Sequence, residues 1–507
     1  MDRIVKEVFL MKKILAAMLA LAMLLSVTAF AEEAGNPPGG APAEAGTPPS
    51  GTPPEGTPPD GFGGGNGGPG GNPPQGTPPD GFGGGSGGPG GGFGGGTPPG
   101  GGTASFEYAA STGITEAAEQ ASRTYSSDTA DVNALIVNTA DAVTLDNPTV
   151  TKTGDSAGGD NCNFYGLNAG ILVMGGSTAT ITGGTVETSA SGANGVFSYG
   201  GNGGRNGADG DGTTVVISGT EITTTGDGSG GIMTTGGGVT LASGLTVTTS
   251  GRSSAAIRTD RGGGTVVVDG GTYTTGGLGS PVIYSTADIT VKNAVLTSNL
   301  SEGVCIEGMN SVTLENCDLT ADNTDCNGNA TFHDTIMIYQ SMSGDADSGT
   351  SAFTMTGGSL TSLSGHMFHV TNTHAVITLS GVALVNEGSD VLLSVCDDGW
   401  SGASNIAELT ADSQSLSGTV LVGSNSTLTL ILKNGSAFTG TFSGKIVNAK
   451  GSAVSSEIGT VGVVLDSTST WTLTSDTWVS SFDGDPGSVV SNGFTLYVDG
   501  TALEGTK

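Results

Sequence analysis

Charge is scarce in this sequence, and basic charge is scarcest. Only 12% of the 507 residues are charged, and 15 Lys and Arg stand against 47 Asp and Glu, a formal net charge of −32. Such a chain repels phosphate backbones, which argues against nucleic acid as a partner. Aromatic residues make up 5%, too few for the core of a large helical enzyme. The five cysteines include no Cys-x-x-Cys spacing, so no redox or zinc-ribbon motif is present. Helical periodicity is missing throughout, and the 92 glycines would weaken any helix that held them. Those glycines keep no period of three, which excludes collagen.

What is present begins with an address. Met11-Lys12-Lys13 opens a basic stretch, Ile14 to Val27 is almost wholly apolar, and Ala29-Phe30-Ala31 offers small residues at a cleavage site. This is the pattern of a secretory signal, with Met11 a candidate true start and cleavage expected after Ala31. No later apolar run is long enough to span a bilayer. The expectation is therefore a secreted or surface-displayed chain with no transmembrane segment after cleavage. Removal of residues 1–31 leaves 11 basic and 45 acidic residues, a charge that attracts cations.

From 32 to 102 the chain is mostly Gly, Pro, Thr and Asn, with Gly56-Thr57-Pro58-Pro59-Asp60-Gly61-Phe62 repeated at Gly76 to Phe82. Too few apolar side chains are available to offset chain entropy, so a disordered linker is expected. Phe62, Phe82 and Phe93 could alternatively act as weak contacts to a wall polymer.

Beyond residue 103 one theme recurs. A short apolar strand begins at Ile171, Val196, Ile232, Ile257, Ile283 and Cys305, at intervals of 25, 36, 25, 26 and 22. A second strand follows, such as Ala179-Thr180-Ile181 or Val312-Thr313-Leu314, then a turn such as Gly183-Gly184, Gly270-Gly271 or Asn316-Cys317. A third strand carries Val186, Ile222, Val247, Tyr273, Leu296, Leu319 or Leu360. Gly and Asn tolerate the left-handed backbone that such turns need. Three short strands in a period above twenty predict an all-β fold, a right-handed parallel β-helix of about 10–12 coils spanning 103–460. At about 4.8 Å per coil the rod would measure roughly 50–60 Å. Residues 461–507, with Trp471, Trp478 and Phe494-Thr495-Leu496-Tyr497-Val498, read as an aromatic C-terminal β cap that seals the solenoid. That stretch resembles the caps of β-helical autotransporter passengers.

The segments Thr335 to Asp347, Phe353-Thr354-Met355-Thr356-Gly357-Gly358 and Val370-Thr371-Asn372-Thr373-His374 resemble the adhesin-like secreted parallel β-helix proteins of anaerobic Gram-positive bacteria, which share the pectate-lyase-like fold. The resemblance spans roughly residues 130–500. It implies an adhesive role and transfers no catalytic residue.

Polygalacturonase-type hydrolysis would need Asn-Thr-Asp, Asp-Asp, Gly-His and Arg-x-Lys in that order. Here Asn323-Thr324-Asp325 is present, Gly365-His366 precedes Asp397-Asp398, and no Arg-x-Lys follows, so paired carboxylates across one glycosidic bond are not expected. Aligning first strands places Phe197, Met233, Arg258 and Tyr284 in one column, beside Asp260 and Arg261. If the leading aliphatic residue points inward, this column points outward. It is the best sequence candidate for a glycan-binding stripe, with aromatic stacking and an Arg for a uronate carboxylate. The competing reading is a surface Arg258 paired with Asp260 beside ordinary apolar neighbours.

Asp209 with Asp211, Asp345 with Asp347 and Asp483 with Asp485 place carboxylates two apart in Gly-rich loops, a pattern open to Ca2+ or to plain solvated turns. His366 and His369, three apart on a strand, are expected on opposite faces. Cys305 is expected in the core column, and Cys317 with Cys326 is the most plausible disulfide. Thr223, Thr248, Thr274, Thr297, Thr320 and Thr361 are expected to stack on the third strands, without the Thr-x-Thr grid of ice-binding solenoids.

Three functions follow as expectations. The first is a non-enzymatic adhesin-like protein that binds a polysaccharide, as a cell-wall or host glycan. The others are a uronate lyase using the Arg258 face and a structural stalk.

Overall fold

The computed structural model describes residues 106–202, 209–400 and 405–507. The expected signal segment and linker lie outside them. Most coils fold as the pattern predicts, and two large parallel sheets result, one of fifteen strands and one of twenty-two among the described residues. The chain is a right-handed parallel β-helix. The first strands stack alone: Ile171–Val173, Val196–Tyr199, Ile232–Thr235, Ile257–Thr259, Ile283–Ser285 and Val304–Glu307 pair successively in register. Second and third strands share the larger sheet, because Gly238–Thr249 and Gly264–Thr275 run through both without a break.

The turn between second and third strands explains the glycines there. Asn147, Gly183, Gly219, Gly244, Gly270, Asn293, Asn316, Gly357 and Gly381 all have φ between +50° and +73°. The chain reverses its side-chain parity at that corner through one left-handed residue, or two in succession as at Gly183-Gly184, Gly270-Gly271 and Gly357-Gly358. Gly and Asn accept that conformation at the least cost.

Inward residues form one continuous apolar core. Val186, Ile222, Val247, Tyr273, Leu296, Leu319 and Leu360 are all fully buried, as the third-strand pattern predicts. Each aliphatic side chain of this kind contributes about 1.5–3 kcal/mol relative to exposure. No coil could do this alone, since each apolar row is covered by the rows above and below.

The array is longer than ten to twelve coils. Ala109–Ile114 pairs with Val132–Val137 at one end, and at the other Thr470–Leu473 and Val489–Val490 continue the same ladder. These end strands carry weak apolar signatures, and register with a neighbour supplies what their composition lacks. The boundary expected at 460 falls at the start of Thr460–Leu465, which pairs in register with Ser426–Lys433. Trp471 lies inside the core, with Val489 on the next strand beyond it. It is fully buried, stacks on Phe438 at 5.9 Å, meets Phe442 edge-on at 5.4 Å, and donates its indole N–H to the Gly440 carbonyl at 3.1 Å. Trp478, by contrast, remains 49% exposed.

Cys305 departs from expectation by one residue. Val304, not Cys305, pairs with Ile283, and Cys305 pairs with Tyr284. The interval is therefore 21, and Cys305 belongs to the outward column. The run Gly303-Val304-Cys305-Ile306 offers two apolar registers, and cross-strand packing selects one.

Candidate functional site

The outer side of the fifteen-stranded sheet carries the column singled out above. Strand register stacks Leu172, Phe197, Met233, Arg258, Tyr284, Cys305, Met337, His369 and Ser394 one above another. The column points away from the solenoid core, as side-chain alternation requires. It is not open to solvent. Phe197 and Met233 are fully buried, and Arg258, Asp260 and Tyr284 are 1–3% exposed, so the expected open stripe is corrected to a covered one. The cover comes from connecting segments. Phe164 and Tyr165, on the short helix α1 (Asn161–Tyr165), pack over Phe197 and Met233, while Ala330 and Trp400 join Tyr284, Cys305, Met337 and Tyr339, the last of these on the sheet strand Asp334–Tyr339 itself.

Beneath this cover lies a chain of ion pairs. Arg258 donates to Asp260 at 3.0 Å and to the Ser253 carbonyl at 3.1 Å. Asp260 accepts the Arg261 N–H at 2.9 Å. The Arg261 side chain in turn pairs with Asp345 at 2.7 Å and lies 4.0 Å over the Phe164 ring. The Arg258–Asp260 partnership is thus the one foreseen, but it is interior. Burial pushes the Asp260 carboxyl up to about 7, against the opposing pull of Arg258. Glu307 accepts from the hydroxyls of Tyr284 at 2.6 Å and Tyr339 at 3.0 Å, and from Ser341. Burial still raises its carboxyl, with the Ser341 and Tyr284 bonds opposing. Asp334 sits one coil from Glu302, and neither of its oxygens finds a hydrogen-bond partner. Burial and the neighbouring Glu302 raise it well above the usual carboxylate range.

A second cluster had no signature in the sequence. His369 Nδ1 lies 2.7 Å from Ser394 Oγ, and its Nε2 is 3.4 Å from Asp398 Oδ2. His366 Nδ1 reaches the same Ser394 Oγ at 2.8 Å, so the two histidines converge rather than face opposite ways. His366 opens the strand His366–Thr371 at a coil corner, where the backbone bend cancels the alternation. Burial would raise Asp398, but the His369 imidazole 3.4 Å away and the bonds from Thr331 and Gly399 outweigh this and hold it below the usual range. Burial, then the adjacent His369, lowers His366 to about 3. Ser, His and Asp in this order have the composition of a nucleophilic centre. Ser394 and His369 are fully buried under the Phe332 ring, 4.7 Å from His369, so no external carbonyl can approach Ser394. The spacing 369, 394 and 398 carries no motif, and only inter-coil register joins them.

The loop carboxylates are largely engaged. Asp345 Oδ1 is held by Arg261. Asp211 Oδ1 accepts the N–H and hydroxyl of Thr213 at 2.9 and 2.7 Å, closing its own turn. Asp209 is exposed and Asp347 half-buried. Among the described residues no group of three or more His, Cys, Asp or Glu is arranged to hold a metal ion. The Cys317–Cys326 bridge is not formed, and all five thiols are free. Cys317 Sγ donates to the Val291 carbonyl at 3.3 Å from within the core, and Cys326 to Phe332 at 3.5 Å. Asn323, from the Asn-Thr-Asp run, is buried and donates to the Asp334 carbonyl.

The open faces belong to the larger sheet. Thr223, Thr248, Thr274, Thr297, Thr320 and Thr361 are in continuous register across six coils, half-buried or exposed. The sequence matches no protein-family model, no curated protein and no solved structure. Function therefore rests on the geometry alone.

Proposed function

We propose that this chain is a secreted or surface-displayed, non-catalytic β-helix that binds polysaccharide, in the manner of an adhesin. The carrying observation is the threonine ladder. A row of hydroxyls repeats once per coil, at about 4.8 Å, on an accessible sheet face, and a regularly repeating face suits a regularly repeating polymer. Two further facts support a role without turnover. Arg258, which a uronate lyase would need in an open cleft, is 1% exposed and paired. The Ser394–His369–Asp398 cluster is sealed. The export pattern at residues 11–31 agrees with an extracellular address.

The test is to incubate the full chain with a broad glycan array, with and without Ca2+, following retention and the absorbance of unsaturated product. Retention without product is expected. Product from a uronate polymer would replace the reading with lyase chemistry, and silence on both would leave a stalk.

A further inference from the structure

Of the three tryptophans, Trp400 is 3% exposed, Trp471 fully buried and Trp478 49% exposed. Trp478 lies on Thr477–Val479, the edge strand of a small three-stranded sheet in the cap, next to Leu496–Val498. It pairs in register with Tyr497, and the two rings stack at 5.1 Å with only 7° between their planes. Beyond Tyr497 the antiparallel partner is Ala502, which is too small to cover an aromatic ring. Alternation along the strands puts Asp476 and Ser480 on the same face as Trp478, and Thr495 on the same face as Tyr497, while Asp499 opens the turn after Val498 with φ +46°. Asp476 Oδ1 accepts the Thr495 N–H at 2.8 Å, and Asp499 stands exposed at the opposite end.

Taking the polysaccharide-binding reading as its basis, we infer that the Trp478–Tyr497 pair is a stacking subsite for a neutral pyranose of the bound chain. Flat, near-parallel aromatic rings offer electron-rich faces to the C–H groups of a flat, equatorially linked sugar. Stacking one ring on the other fixes both rotamers before a ligand arrives, which lowers the ordering cost on binding. Carboxylate and hydroxyl acceptors flank the rings, where they can take hydrogen bonds from sugar hydroxyls. The same carboxylates, on a chain of net charge −32, repel a uronate. Neutrality of the ligand follows from that charge, and ring stacking supplies the affinity.

The experiment is a tryptophan-fluorescence and calorimetric titration of the full chain with cello-, xylo- and fully N-acetylated chito-hexaose, and with oligogalacturonate as the acidic control. Binding to at least one neutral hexaose is expected. Trp478→Ala should weaken it about tenfold or more, as loss of an aromatic anchor does, with no change in melting temperature. Trp478→Tyr, which keeps a stacking face, should restore most of the affinity. Neutral binding that survives both Trp478→Ala and Tyr497→Ala overturns the subsite and leaves the broader reading standing. Preference for oligogalacturonate, or self-association abolished by Trp478→Ala in sedimentation, also overturns it. No binding to any glycan, on the array or in solution, removes both.

Discussion

Replacing Arg258 by Met tests whether this residue holds the fold or meets a ligand. Its guanidinium lies 3.0 Å from Asp260 Oδ2, and both side chains are essentially inaccessible. Removing one partner of a buried pair leaves an uncompensated charge, at a cost of about 3–5 kcal/mol. Met keeps most of the volume, so the loss is electrostatic rather than a cavity. Asp260 already titrates near 7 with Arg258 in place, and without it must titrate higher. A carboxyl raised in the folded state contributes stability below its unfolded value, about 3.9, and that contribution disappears as pH rises through the folded value. The destabilisation by Arg258→Met should therefore be greater at pH 8 than at pH 5, where Asp260 is protonated with or without Arg258, and the difference should reach at most about 1.4 kcal/mol, the worth of one pH unit above the folded value. Urea titrations followed by circular dichroism at both values measure the difference. Hydrogen exchange should place it at Ile232–Thr235, Ile257–Thr259 and Ile283–Ser285, since each coil depends on its neighbours. Arg258→Met/Asp260→Leu should recover much of the loss. A variant of unchanged stability that loses glycan binding would refute the reasoning, for it would place Arg258 at the ligand.

Three other outcomes follow. Trp471→Ala should cost about 3–5 kcal/mol, because it opens a cavity beside Phe438 and Phe442; exchange should rise first in the C-terminal coils, and uniform exchange would contradict its role in packing that end of the core. Gly184→Ala should destabilise by about 1–3 kcal/mol, since φ is +77° and a Cβ would strike the Pro148 carbonyl; an unchanged melting curve would count against the turn. Under native conditions a thiol reagent should modify Cys326 ahead of the four buried cysteines, with intact mass under non-reducing conditions showing no bridge; a loss of two hydrogens would restore the Cys317–Cys326 pairing.

Local rules make much of the fold legible in the sequence. Strand alternation names the inward residues Val186, Ile222, Leu296 and Leu319, and the tolerance of Gly and Asn for positive φ locates the corners at Gly183, Gly270 and Asn316. Both depend on a residue and its immediate neighbours. The covered column shows where such rules stop. Alternation correctly turns Phe197, Met233, Arg258 and Tyr284 away from the core, yet α1 and the segments bearing Phe332 and Trp400 lie over that side and make it a second interior. Cys305 moves by one position because its pairing is chosen across coils. His366 and His369 meet at Ser394 because a corner intervenes, and Trp478 stays exposed while Trp471 is enclosed because only one of them has a coil's core beneath it. The sequence by itself determined the period, the corners and the core rows, since these follow from short-range backbone and solvation preferences. Tertiary structure alone decided what covers each outward face, because coverage depends on segments tens of residues away.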